Sequence, residues 1–397
     1  MAVRLLSGEV SELCLGKPEL RWIAASATVS DALTALKRSG DSHVSVWSCG
    51  SGSSANSACV CVGKISVADV ILFLCRGENL ADPFKAFQVP VSDILPKGSP
   101  VIRHLEPNSS LLEAMDYILA GTQNLVIPIQ NHMNSNSRKK FLNKPSAFTC
   151  ARHNGHQQYC WLTQEDVVRF LLNSIGAFSP IPTSTIESLN VIDYDIMTVH
   201  YNEPASSVIS YFYRALAEQT SVAVIDEDNK LIGEISPFTL ACSDETAAAA
   251  IMALSAGDLL AYIDCGGPPE DLVQYMKKSL EERNLGGMLE LMDEFFHSSM
   301  SSSSSSCSSD DESLSTRNVG TVRYYPARRS EAVVCSPGSS LVAVMIQALA
   351  HRVSCVWVVE EDHTLVGNVT FAEMLKVFRN VAGGRYSKPE RVNSSKQ

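Results

Sequence analysis

No apolar run in this 397-residue chain approaches the ~18 to 20 residues that a membrane helix requires. The opening MAVRLLSGEVSEL also lacks the apolar core and small-residue cleavage site of a signal peptide. Both absences point to the cytoplasm, with the nucleus as the alternative. Twelve cysteines are present, yet they form no CxxC pair and no framework spacing, and Cys61, Cys160 and Cys355 fall inside apolar strands. They are expected as small core residues rather than as a disulfide framework. Cys150, His153, His156 and Cys160 have zinc-ligand chemistry, but Cys160 belongs to a repeated strand and no second pair completes the usual pattern. Catalytic signatures are missing too: there is no GxSxG, no Walker A loop, no HExxH and no glycine-rich kinase loop. A non-enzyme is expected.

Positive charge is sparse. The net charge is −11, and residues 244–320 hold fourteen Asp/Glu against four Lys/Arg, so one segment carries nearly all of it. Nucleic-acid binding needs clustered cations to displace counterions, and the RKK at Arg138 to Lys140 sits alone in a polar insertion.

What the sequence does contain is one unit written four times. VGKISVADVI from Val62, CWLTQEDVV from Cys160, IGEISPFTLA from Ile232 and VGNVTFAEML from Val366 each end an apolar strand at Ser or Thr and then begin an amphipathic helix. Upstream of each lies a Ser- or Pro-rich turn, a helix and a β-branched strand. The first two units are longer because polar insertions occupy residues 49–58 and 131–157, where a turn between strands belongs. A unit of this size buries little surface alone. Units one and two are therefore expected to pair, as are three and four, with the boundary near Pro180 to Ser184.

The repeated strand, the hydrophobic-Gly-x-hydrophobic-Ser/Thr-x-x-Asp turn and the following helix resemble the CBS domain, which pairs into Bateman modules. The resemblance implies an α/β (α+β) fold of four CBS units in two pseudo-symmetric Bateman modules. The units span residues 15–80, 98–178, 190–262 and 321–382, with a helical and Ser-rich acidic linker at 263–320. Within that family the chain is similar to plant CBS-only proteins and to the γ regulatory subunits of energy-sensing kinases. The likeness implies a non-catalytic regulatory protein with a protein partner, such as a kinase complex or redox enzyme, or a second copy of itself. It implies no obligatory cofactor, but a regulatory ligand containing adenosine: AMP, ADP, ATP or S-adenosylmethionine.

Carried over residue by residue, Ser66 and Asp69 match the ribose-binding turn fully, and Thr163 and Asp166 match it without the glycine. Ser236 is followed by Thr239 where Asp belongs, and Thr370 by Glu373. At the start of the second strand only Arg352 and Ser354 keep the likeness to phosphate-binding positions; Lys64, Arg328 and Arg329 are the other cations within reach of a phosphate. The plainer reading of each turn is a helix N-cap, since Ser/Thr-x-x-Asp is also a capping box. On that reading the chain is a structural interaction scaffold with no nucleotide.

In the linker, Leu272, Tyr275, Met276 and Leu280, then Met288, Leu291, Met292 and Phe295, recur at helical spacing, giving two helices broken at Gly286-Gly287 and packed on a neighbouring sheet. Ser298 to Ser315 reads as a disordered tether, with Ser308 and Ser309 before an acidic triplet as candidate kinase substrates.

Overall fold

The computed structural model describes residues 1–49, 59–96, 102–129, 158–264, 269–302 and 330–382. Four three-stranded sheets repeat one topology: β1 (Trp22–Ala24), β2 (Val44–Ser48) and β3 (Val60–Ile65); β4 (Ile102–His104), β5 (Asn124–Pro128) and β6 (Tyr159–Thr163); β7 (Thr198–His200), β8 (Val222–Ile225) and β9 (Leu231–Ile235); β10 (Val334–Cys335), β11 (Cys355–Val359) and β12 (Leu365–Thr370). In each, the first strand pairs parallel to the middle one, which requires the intervening helix as a crossover. The middle and last strands pair antiparallel. Val29–Ser39 is such a crossover helix: Thr28 and Asp31 close a capping box at its start, and Gly40 ends it in the left-handed conformation.

The expected pairs meet sheet to sheet. Trp47 and Cys61 of the first unit pack with Val126 of the second, and Trp357 and Cys355 of the fourth with Ala223 and Ile225 of the third. Polar contacts cross the same faces: Trp357 Nε1 donates to Glu234 Oε2 at 2.7 Å, and the Cys61 N–H donates to His104 Nε2 at 3.1 Å. The two large cores run the other way. Helices of units one and three share one, including Leu33, Ile71, Phe212 and Leu240, while units two and four share the other, including Met115, Leu171, Met345 and Phe378. One chain thus closes its helical faces on itself.

A segment crosses each repeated strand at the position three residues before the capping Ser/Thr. A Cβ on Gly63 would meet the Leu95 side chain at 2.4 Å, one on Gly233 the Ser330 carbonyl at 3.0 Å, and one on Gly367 the Asp193 carbonyl at 2.5 Å. In unit two the position is Cys160, fully buried, in one core cluster with Cys14. There the crossing segment is tied by the Leu20 N–H to the Tyr159 carbonyl at 2.8 Å. Every crossing segment leads into the paired unit, so the pairs exchange arms.

Two expectations need correction. The linker helices Glu270–Glu282 and Gly286–Ser302 break at Arg283 to Leu285, with Asn284 left-handed, so that Gly286 and Gly287 open the second helix rather than form the break, and Met276, Leu280, Met288 and Met292 enter the core of units one and three beside the buried helix Ala247–Ala253. They pack on helices rather than on a sheet, because each sheet is already covered by its partner sheet and its own helices. The AAAAIMA helix supplies a face of small side chains that lets others approach closely, and Gly287 sits against the Ala81 carbonyl. The second correction concerns cysteine: Cys49 and Cys59 are disulfide-bonded, one step beyond the Ser48–Val60 pair, where the antiparallel register places them opposite each other. Cys61, Cys160 and Cys355 are buried thiols. The start of the Ser tract continues the last linker helix to Ser302; the remainder, with Ser308 and Ser309, lies outside the described residues, as do Arg138, Cys150, His153, His156, Arg328 and Arg329. Among the described residues no helix is long and apolar enough to cross a membrane, and no metal-ligand cluster forms.

The crossings predict an order of tolerance. Gly367→Ala drives a methyl into backbone and should lower unfolding free energy by ~1 to 3 kcal/mol. Gly63→Ala meets only the end of a leucine side chain and should cost less. Urea titrations of the two variants, followed by tryptophan fluorescence, measure the difference.

Candidate functional site

The four capping turns fold alike and present different chemistry. In unit one the Ser66 N–H and hydroxyl both donate to Asp69 Oδ2, at 2.7 and 2.6 Å, and Ser66 Oγ accepts from the Asp69 N–H at 3.3 Å. The other carboxylate oxygen, Oδ1, accepts no hydrogen bond among the described residues. Burial pushes the Asp69 carboxyl above its ordinary range, against the hydrogen bonds from Ser66 and the nearby Lys64 charge. Burial likewise brings Lys64 down to about 8, with Asp69 opposing, and His43 down to about 3, with Lys64 adding to the effect. His43, whose Nδ1 lies 2.9 Å from Ser42 Oγ, is thus a neutral ring near the Lys64 ammonium.

In unit two Asp166 Oδ2 accepts from the Thr163 N–H and hydroxyl, at 2.8 and 2.7 Å, and also from Lys17 Nζ in a short ion pair. The Lys17 ammonium donates again to the Trp161 carbonyl at 2.8 Å. Asn124, paired in register with Thr163, is buried, and its Nδ2 has no acceptor among the described residues. In unit three both turn residues are buried and turned inward: Thr239 Oγ1 accepts from the Ser236 N–H at 2.9 Å and donates to the Ser236 carbonyl at 2.8 Å. In unit four Thr370 caps the Glu373 N–H at 3.2 Å, and the Glu373 carboxylate turns to Lys376 at 2.5 Å. Ser354 lies beside this turn, its carbonyl accepting from the Phe371 N–H at 3.3 Å.

A cavity of about 900 Å³ opens where all four units meet. Lys17, Arg21 and His43 line it from the side of unit one, Trp161 from unit two, Phe238 from unit three, and His351 and Arg352 from unit four. Arg21 is paired with Asp41 at 2.9 Å, whereas no ion pair engages Arg352 among the described residues. Arg352 holds a left-handed conformation, φ 56°, at the end of the helix Leu341–His351, which turns the chain into β11. Of the sequence-predicted site residues only Arg352 lines this cavity; Asp69 and Lys64 are not among its lining residues. Lys17, Arg21 and Phe238 were not singled out by the repeat. Lys17 and Arg21 precede the first repeated helix, so no motif spacing points to them. The residues that open the middle strand in units two and three, equivalent in the repeat to Arg352 and its neighbours, serve packing: Leu125 and Val126 are core, and Thr220 accepts from Asn368 Nδ2 at 3.3 Å.

Comparison with known proteins supplies the context for this geometry. The CBS domain pattern matches residues 322–380. The chain is 47% identical over 390 residues to the CBS domain-containing protein CBSX5 of Arabidopsis thaliana, covering 96% of this chain and 98% of that one. It is 21% identical over 213 residues to the Arabidopsis SNF1-related protein kinase regulatory subunit gamma-like PV42b, covering 49% of this chain and 56% of that one. Among solved structures, protein MJ1225 of Methanocaldococcus jannaschii, considered an archaeal homologue of γ-AMPK, matches with a TM-score of 0.52 at 15% identity, over 93% of this chain and 99% of that one.

Lys64 gives the site a pH signature. Its folded value of about 8 lies below the ordinary 10.5, so above pH 8 the unfolded chain holds the proton that the folded chain has released. Stability should therefore rise with pH across that window, and the contribution is absent below it. Urea midpoints taken from about pH 7 to about pH 9 should climb in the wild type and climb less in Lys64→Met.

Proposed function

The chain belongs to the CBS-domain proteins, and from that premise we propose that it is a non-catalytic regulatory protein that binds an adenosine-containing ligand between paired CBS units and biases the activity of a protein partner. The observation that carries the reading is Asp69: a half-buried carboxylate with one oxygen fixed by Ser66 and the other unengaged among the described residues. It sits in the first turn of the helix Val67–Leu74, where backbone N–H groups favour an anion. A free carboxylate oxygen accepts ribose hydroxyls, and the separate cavity of about 900 Å³ lined by His43, His351 and Arg352, though not by Asp69, offers room and a cation for an anionic group. Burial of Lys64 and Asp69 fits a site completed by a charged ligand. The kinase γ-like relative and the γ-AMPK-like fold favour a kinase complex as partner, with a redox enzyme as the alternative.

A second reading, a scaffold with no nucleotide, is favoured by unit three, where Ser236 and Thr239 satisfy each other without a ligand. Calorimetric titration of the full chain with AMP, ADP, ATP and S-adenosylmethionine separates the two, since absence of heat with all four leaves only the scaffold. If a ligand binds, Asp69→Ala should weaken it about tenfold or more, because a charged hydrogen bond is worth ~1.5 to 3 kcal/mol. Thr239→Ala should change affinity little.

A further inference from the structure

Lys17 lies outside every repeated motif, yet it makes the strongest polar contact of the second unit's turn. The segment that bears it is fixed across unit two before the chain enters unit one. The Val10 and Ser11 N–H groups donate to the Ser109 and Pro107 carbonyls at 2.9 and 3.0 Å, Leu20 donates to Tyr159, and Cys14 is buried against Cys160. Between these anchors the Lys17 ammonium is held by the Asp166 carboxylate and the Trp161 carbonyl, with both ionic side chains three-quarters or more buried.

We propose that Lys17 is a built-in occupant of the second unit's subsite and excludes ribose from it, leaving unit one as the ribose site of its module. This rests on the reading of Asp69 as a ribose acceptor. Asp69 and Asp166 share the same cap geometry, each giving Oδ2 to the N–H and hydroxyl of the capping residue. Among the described residues they differ in the third donor. At Asp166 Oδ2 serves three donors, one of them an ammonium, while Oδ1 takes none among the described residues, so what closes this turn is the ammonium standing beside the carboxylate rather than a lack of acceptor positions. A ribose hydroxyl and an ammonium both make charge-assisted bonds to a carboxylate, but only the ammonium brings a full opposite charge, and its segment is already held across unit two, so ribose does not displace Lys17. The ammonium also cancels the charge that makes the carboxylate a good acceptor.

A second observation marks a subsite that is shaped but closed. Asn124, opposite Thr163 on the strand ladder, is 4% exposed, and its Nδ2 finds no acceptor among the described residues. A buried amide donor without a partner is costly, and its presence at the end of this ladder fits a pocket built for a polar ligand that Lys17 keeps out.

The test is stoichiometry, measured by calorimetry with AMP on the full chain. Wild type should show one binding event dependent on Asp69. Lys17→Met should add a second event, Lys17→Met combined with Asp166→Ala should lose that second event, and Lys17→Arg, which keeps the charge, should retain one. Lys17→Gln, with thermal melts of every variant, guards against a fold defect in Lys17→Met. Equal stoichiometry in wild type, Lys17→Met and Lys17→Gln, with AMP bound in all, overturns the role of Lys17 and leaves the Asp69 reading standing. A second event already present in wild type and lost in Asp166→Ala also overturns it. No AMP binding by any variant overturns the ribose reading itself, and the Lys17 proposal with it.

Discussion

Each repeated strand is crossed by the segment that leads into its partner unit, and the remaining architecture depends on that crossing. Asp193 illustrates it: its N–H and carbonyl both bond Asn368, and the approach is close enough that position 367 has no room for a side chain. The glycine before the capping residue is thus a consequence of pairing rather than a property of the isolated strand. Because the arms are exchanged in both pairs, the sheets are brought face to face and each unit's helices are left directed away from its partner. Those helices are then buried only by meeting the other pair, which is why the large cores join unit one to three and two to four.

The same crossing makes the four turns chemically unequal. In units one, three and four, glycine allows close passage of an apolar side chain or a carbonyl. In unit two the crossing arm is the N-terminal segment, Cys160 takes the glycine's place, and the arm brings a lysine to the carboxylate. A cation delivered by the arm converts an acceptor into a closed ion pair without altering a residue of the turn. Among the described residues Asp69 meets no arm-borne cation; its nearby charge, Lys64, comes from its own strand and is weakened by burial. Equal motifs therefore yield an open carboxylate in one unit and an occupied one in the next.

The long insertions and the acidic linker leave this scheme intact because they are confined to places where the chain has already turned. The first insertion is closed at its base by Cys49 and Cys59, and the linker helices end in a core assembled around the Ala247–Ala253 helix. That helix joins the long-range packing because its run of alanines lets several neighbouring elements approach its axis.

The fourfold strand–turn–helix, the capping residues and the pairing of one with two and three with four were legible in the sequence, because they follow from local periodicity, cap chemistry and chain order. So was the division of the turns into Asp69 and Asp166 on one side and Thr239 and Glu373 on the other. Sequence could not show that Lys17 faces Asp166, 149 residues away, or that Arg352 shares a cavity wall with Arg21 and His43, since no spacing rule relates positions that only the exchanged arms bring together. Nor could it place the linker helices on other helices, or cover the helical faces across modules. Local sequence determined what each turn is made of; tertiary structure decided which charge meets it, because electrostatic contact depends on distance in space and the crossings set that distance.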